Sequence, residues 1–350
     1  MGSRNNSSGK VFFAEEAEKW LRQRLQQQPD WFLLCDTNTQ KECLPLFEAA
    51  FGTVPKNRLL SMPAGEEHKQ LPTAEALWQQ LQQAGATRES LLLNLGGGVL
   101  CDMGGFVAAT WKRGIPFVHI PTTLMAQVDA AIGGKCALNY GGAKNQIGLF
   151  CDPEAVCIFH DFLTTLPKRE LRSGFAEMLK HGIIADADYF RTLQQTEPYC
   201  PPAPELVRRS VEIKCGFVSK DHEDNGIRKA LNFGHSIGHI LEALSEGASS
   251  HGEAVAHGMR AEARIARHKG LLSENGFQEI DSTLQQRYGD FPGLPYRREK
   301  VESLLAADKK NDGRSTNFTL PEGIGRVRIN CAVSTDEVWE TIQAMIQENR

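Results

Sequence analysis

The chain has 350 residues, 41% of them hydrophobic and 23% charged, with a formal net charge of −4. That is long enough for two domains, each with its own core. The charge leaves no electrostatic footprint for nucleic acid or an anionic membrane, so neither is expected as a partner. The nine cysteines include no CxxC pair, which points to a reducing compartment. The polar start MGSRNNSSGK lacks a signal-sequence pattern and no apolar run is long enough to span a bilayer, so a cytoplasmic protein is expected.

In chain order, WFLLCD, RLLSMP, SLLLNL, PFVHIP and AVCIFH are short apolar runs of strand type. Helical patterns such as PTAEALWQQLQQAG and DMGGFVAATWKRG separate several of them. The alternation predicts an α/β fold, with a parallel-sheet nucleotide-binding domain over residues 1–160. From Leu166 on, KRELRSGFAEMLKHG, PELVRRSVEIKCGFVS, LNFGHSIGHILEAL and HGEAVAHGMRAEARIARHKG read as successive helices. They predict a mostly α-helical second domain over residues 161–350. YCPPAPE reads as a loop between helices and NFTLPEGIGRVRI as a hairpin, while Ser334 and Glu337 form a capping box for the last helix.

Three features carry chemistry. LLLNLGGGVLCDMGGF runs from a strand through Gly96, Gly97 and Gly98 into a helix, a backbone suited either to a diphosphate or to tight packing. It is not GxGxxG, because Cys101 stands where the last glycine belongs. IPTTLMAQVDAAIGGKCALNYGGAKNQIG sets Lys135, Lys144 and Asn145 among glycines, which fits either a phosphorylated ligand or a solvated loop with surface lysines. Glu177, Lys180, His181, His235, His239, His251, Glu253 and His257 lie on three helical segments, and a catalytic zinc wants about three N or O ligands. The i, i+4 pair His235 and His239 fits two metal ligands, one, or none, since the glutamate of HExxH is missing.

Taken together, AGEEHK, GGGVLCDMGGF, WKRGIPFVHIPTTLMAQVDAAIGGK, AKNQIG, SGFAEMLKHGII, IRKALNFGHSIGH and SSHGEAVAHGM resemble the 3-dehydroquinate synthase family of sugar-phosphate cyclases, from about Pro63 to Asn311. The resemblance implies NAD and a divalent metal, zinc before cobalt, as cofactors. It implies Glu177, His235 and His251 as metal ligands, and His239 as a histidine facing the substrate. For NAD it implies Glu66, Glu67, His68, Lys69, Gly97, Gly98, Val99, Leu100, Cys101, Asp102, Thr122 and Thr123. Asp129, Lys135, Lys144, Phe162, Leu163, Thr164 and Thr165 complete that set. Around the substrate it implies Lys135, Asn145, Lys180, Lys214, Arg228 and Asn232, with Arg113 reaching the neighbouring subunit of a homodimer and Lys309 or Lys310 contributing. The sequence departs from the family pattern at Ala143, where a glycine is common, and at Cys136, where a small polar residue is usual.

The activity so implied is a carbon–oxygen lyase of the shikimate pathway, serving chorismate and aromatic amino-acid biosynthesis. It would turn 3-deoxy-D-arabino-heptulosonate 7-phosphate into 3-dehydroquinate and phosphate by transient oxidation, β-elimination, re-reduction and aldol closure. Three other functions stand against this one. A valiolone or inosose cyclase takes substrates without the carboxylate and tends to differ at Arg228 and Asn232. A metal- and NAD-dependent alcohol or glycerol dehydrogenase would release NADH. A non-catalytic scaffold with a decayed site would have lost ligands or lysines.

Overall fold

The structure, a computed structural model, describes residues 10–294, 296–307 and 316–348. It divides into two compact units, Met1–Pro167 and Lys168–Arg350. Lys309 and Lys310 lie outside the described residues.

The first unit carries β1 (Lys10–Phe13), β2 (Trp31–Asp36), β3 (Leu59–Met62), β4 (Leu91–Gly96), β5 (Phe117–Pro121), β6 (Lys135–Tyr140), β7 (Ala143–Phe150) and β8 (Ala155–Ile158). Its helices are α1 (Ala14–Gln27), α2 (Thr37–Glu42), α3 (Leu44–Phe51), α4 (Leu71–Gln83) and α5 (Gly98–Thr110). Six strands pair in the order β1-β8-β5-β4-β2-β3, every pair parallel. β4, β5 and β8 are buried along their whole length, as a sheet covered on both faces requires. Alternation sorts β4 between two cores: Leu91, Leu93 and Leu95 enter one, Leu92 the other.

Chain order runs outward from β2 to β3, then returns to β4 and proceeds the opposite way through β5 to β8. The carboxyl ends of β2 and β4 therefore flank a topological switch point, where open α/β sheets bind ligands. The Gly96–Gly98 turn leaves β4 at that point. α5 then crosses the sheet closely because Gly104 has no side chain: a Cβ there would lie 2.0 Å from Asn94 Oδ1. Asn94 is fully buried, and its Nδ2 faces His119 Nδ1 at 3.2 Å. Burial pushes the His119 imidazole down to about 3, which keeps it neutral in the core.

Lys135 to Phe150 is no open loop. It forms an antiparallel hairpin, β6 on β7, turned by Gly141 and Gly142 at φ 61° and 78°. Two successive positive φ values are what a two-residue hairpin turn of the right twist requires.

The second unit holds α6 (Lys168–Ala185), α7 (Ala187–Gln194), α8 (Pro204–Val218), α9 (His235–Leu244), α10 (His251–His268), α11 (Glu274–Tyr288), α12 (Arg298–Ala307) and α13 (Thr335–Glu348). β9 (Thr316–Gly323) and β10 (Arg326–Val333) make the expected antiparallel hairpin. Ser334 and Glu337 cap α13 reciprocally, the Glu337 N–H donating to Ser334 Oγ at 3.2 Å and the Ser334 N–H to Glu337 Oε2 at 2.8 Å. α6 and α10 are buried almost throughout. Among the described residues no helix is long and apolar enough to cross a membrane.

Gly104→Ala should force α5 off the sheet at Asn94 and cost roughly 1–3 kcal/mol, the usual penalty for overpacking. Chemical denaturation measures it, and an unchanged midpoint would mean that the helix does not lie this close.

Candidate metal and nucleotide sites

In the second unit, glycines decide how closely three helices approach. A Cβ on Gly252 would lie 2.0 Å from the Ser173 carbonyl oxygen of α6, and the Gly252 N–H donates to Ser173 Oγ at 3.0 Å. This pins the start of α10 one turn from Glu177 and places its neighbour His251 there. Ser250 and Glu253 form a capping box that starts α10 at His251. A Cβ on Gly258 would lie 2.0 Å from the Gly234 carbonyl oxygen, so α9 also lies backbone to backbone on α10.

The result is a convergence of Glu177, His235 and His251, whose ligand atoms lie within 4.8 Å of one another. Glu177 is fully buried, and Lys180 pairs with its Oε2. His235 Nε2 lies 3.5 Å and His251 Nε2 3.7 Å from Glu177 Oε1. The other ring nitrogens face acceptors: His235 Nδ1 meets the Phe233 carbonyl at 3.3 Å, and His251 Nδ1 meets Glu242 Oε2 at 3.2 Å. With Nδ1–H donating in each ring, the Nε2 lone pairs point at a carboxylate oxygen. Acceptor against acceptor repels unless a cation or proton stands between. Ligand atoms bound to one tetrahedral zinc are roughly 3.3 Å apart, close to both spacings here. By donor chemistry and spacing, the three residues fit a divalent metal.

Electrostatics agree. Burial, then the Lys180 charge, holds His235 well below its ordinary value. Burial also works against a charged His251, but hydrogen bonds to Glu177 and Glu242 outweigh it and hold that imidazole up at about 9. A proton on His251 thus supplies positive charge where a metal would. His239 differs from both: it is exposed, its ring centroid 5.4 Å from that of His235 and 6.1 Å from that of His251. The four-residue spacing hides a division between an inward and an outward imidazole.

The remaining expected residues of this unit sit on other elements. Lys214 is buried on α8. Arg228 and Asn232 lie in the 3-10 turn Ile227–Asn232, Arg228 buried with Nη1 donating to the His222 carbonyl at 2.5 Å. The sequence reading passed over Glu242, one turn beyond His239 on α9, and Ser250, whose S-x-x-E spacing with Glu253 was a legible cap.

In the first unit the glycine run forms the turn into α5, with Gly97 at the N-cap and Gly98 through Asp102 in the opening turns. Cβ atoms on Gly97 and Gly98 would lie 3.0 Å from Thr123 Cγ2 and 3.1 Å from Ala130 Cβ. Leu100 and Cys101 are buried in the core, so backbone is what they offer a ligand. Lys69, buried, donates to Asp102 Oδ2 at 2.5 Å and to Asn145 Oδ1 at 2.6 Å. Asn139, absent from the expected set, completes this network. Its Nδ2 donates to Glu66 Oε1 at 2.8 Å, and its Oδ1 accepts the Asn145 N–H at 2.9 Å. Burial pushes the Asp102 carboxyl up against the pull of Lys69.

Glu67 and His68 lie with Glu66 in the turn Glu66–His68, and Thr122 and Thr123 follow β5. Asp129 lies in the wide turn Ala126–Ala130, exposed Lys135 opens β6, Lys144 is on β7, and Phe162–Thr165 fall in a 3-10 segment. Val99 stands beside Gly98 in α5. A glycine cradle at the switch point, a helix amino end and a nearby carboxylate fit a dinucleotide. Arg113 is exposed, and it and Lys112 have φ of 74° and 49°, a conformation bulky residues seldom adopt outside functional turns.

The profile described as 3-dehydroquinate synthase N-terminal matches residues 59–173, and that described as 3-dehydroquinate synthase C-terminal matches residues 174–311. The 3-dehydroquinate synthase of Parabacteroides distasonis is 41% identical over 323 residues, covering 89% of this chain and 90% of that protein. The one from Synechocystis is 43% identical over 289 residues, 79% of each. The chain belongs to the 3-dehydroquinate synthase family. Among solved structures, a 2-deoxy-scyllo-inosose synthase complexed with carbaglucose-6-phosphate, NAD+ and Co2+ is 24% identical with a TM-score of 0.84, covering 95% of this chain and 96% of its own. A 2-epi-5-epi-valiolone synthase from Streptomyces hygroscopicus with NAD+ and Zn2+ bound is 23% identical, also at 0.84, covering 99% of both. These likenesses show the fold.

Glu177→Gln should lower the His251 imidazole from about 9, because the variant removes the negative charge that favours the protonated ring. An NMR titration of the metal-free protein reads this directly. A value still near 9 would mean that Glu242 alone sets it.

Proposed function

We propose that this chain converts 3-deoxy-D-arabino-heptulosonate 7-phosphate to 3-dehydroquinate and phosphate, as an NAD- and divalent-metal-dependent lyase. The observation that carries this reading is the convergence of Glu177, His235 and His251 on one point in a member of the family. The first unit would hold NAD through the Gly97–Asp102 turn, Lys69, Thr122, Thr123 and the Phe162–Thr165 segment. The second would hold zinc, or cobalt in its place, through Glu177, His235 and His251. When bound, NAD supplies a reversible hydride acceptor and the metal a Lewis acid.

The chain's own residues then bind, orient and move protons. Lys135 and Asn145 in the first unit, and Asn232 in the second, each bring donors suited to a phosphate, and Lys180 brings three N–H donors for which an anionic oxygen would compete with Glu177. Arg228 and Lys214, both buried, are suited to the carboxylate and hydroxyls. His239, exposed beside the ligand pair, is the residue to hold or move a proton at a substrate oxygen. The left-handed turn at Lys112 and Arg113 presents Arg113 outward, which supports its reaching the site of a second subunit in a homodimer. A cytoplasmic setting accords with the cysteine usage.

The fitting experiment supplies the heptulosonate phosphate with NAD and zinc and follows phosphate, carbocycle and NADH together. One phosphate per ring with no net NADH supports the proposal. Net NADH would instead indicate a dehydrogenase, and phosphate without ring closure an incomplete lyase. His235→Ala should lose metal and turnover together. His239→Ala should keep its metal while turnover falls about 100- to 10,000-fold, the usual range for a general acid–base group. Metal analysis and steady-state rates of the two variants separate their roles, and metal loss in His239→Ala would reverse them. Glu242→Gln, which weakens the acceptor behind His251, should lower zinc affinity about 10- to 100-fold in a chelator competition. Undiminished affinity would show that His251 needs no such partner.

A further inference from the structure

We propose that Glu262 is a positioning residue, holding His235 in place by capping α9 from the neighbouring helix; the inference rests on His235 being a metal ligand. A helix must find acceptors for its first N–H groups, and Ser, Thr, Asp or Asn at the N-cap normally supplies one. α9 has none of these. Its N-cap is Gly234, at φ 81°, and its first turn carries no acidic residue. Glu262 of α10, fully buried, does the capping: its Oε2 accepts the Gly234 N–H at 2.6 Å and its Oε1 accepts the Ile237 N–H at 3.1 Å.

The two amides bracket His235, one residue before it and two after. Each carboxylate oxygen thus fixes one side of the turn from which the imidazole projects. The approach depends on Gly258, one turn earlier on α10, where a Cβ would lie 2.0 Å from the Gly234 carbonyl oxygen and 2.6 Å from the Gly238 nitrogen. Glycine lets the backbones touch, and the carboxylate then locks them. A negative group at a helix amino end also interacts favourably with the helix dipole, and hydrogen bonds to a charged acceptor are stronger than neutral ones. The direction of the ring follows from this, because His235 Nδ1 meets the carbonyl of Phe233, the residue just before the capped Gly234. The carboxylate thereby joins the helix bearing His251 to the turn bearing His235.

Glu262→Gln is the informative variant, since alanine would leave two buried amides without acceptors. Glutamine keeps the shape but turns an N–H donor toward one of those amides, and the first turn of α9 should open. The prediction is zinc affinity at least about tenfold weaker by chelator competition, the scale expected for residues that orient metal ligands. Amide hydrogen exchange at Gly234 and Ile237 should quicken while the body of α10 stays protected. His235→Ala serves as the reference. Wild-type affinity and exchange in Glu262→Gln, with binding lost in His235→Ala, would overturn this proposal alone. Wild-type affinity in both variants would overturn the metal assignment and this proposal with it.

Discussion

The second unit is organised around a carboxylate that has no business being buried unless positive charge accompanies it. Glu177 is fully buried on α6, and taking an unpaired carboxylate out of water is prohibitive. Lys180 answers on one oxygen and a protonated His251 on the other, which neutral His235 also faces. Each partner comes from a fixed element, so the charge balance specifies how α6, α9 and α10 must meet. A divalent cation would satisfy the same demand that Lys180 and a proton on His251 satisfy in its absence. The groups behind the imidazoles, the Phe233 carbonyl and Glu242, face Nδ1 of each ring and so leave Nε2 as the nitrogen that a metal would take.

Backbone proximity makes this possible in both units. Gly252 and Gly258 let α10 touch α6 and α9, while Gly104 lets α5 rest on Asn94 in the sheet. In each case a single methyl group would occupy space already taken. The glycines near the chemistry therefore serve two purposes. Some, such as Gly97 and Gly98, keep the turn into α5 close against Thr123 and Ala130, and others bring side chains on separate helices within bonding reach.

Much of the fold was legible because burial on both faces leaves a plain mark. LLLNLG and AVCI are unbroken apolar runs, and each is a wholly buried parallel strand. The long helices of the second unit announced themselves through apolar spacing, and the Ser334–Glu337 cap through its two residues. β1 was not legible, since a four-residue edge strand has too little pattern to display. The β6–β7 hairpin was missed because its lysines and glycines suggest solvent, although the Gly-Gly turn between Tyr140 and Ala143 carried the signal. Spacing could not separate His235 from His239, as both share a helical face. What separates them is where α6 and α10 lie, and that depends on distant glycines. Family resemblance named the trio on which these helices converge. It was silent on Glu242, Asn139 and Glu262, which act through other residues.

The central claim is that the buried carboxylate and two imidazoles form one metal-binding set. X-ray absorption spectroscopy of the zinc-loaded protein tests it most directly. The account predicts one zinc per chain with two imidazole nitrogens and oxygen donors at about 2.0–2.2 Å. A sulfur shell near 2.3 Å, or a spectrum without imidazole scattering, would contradict it.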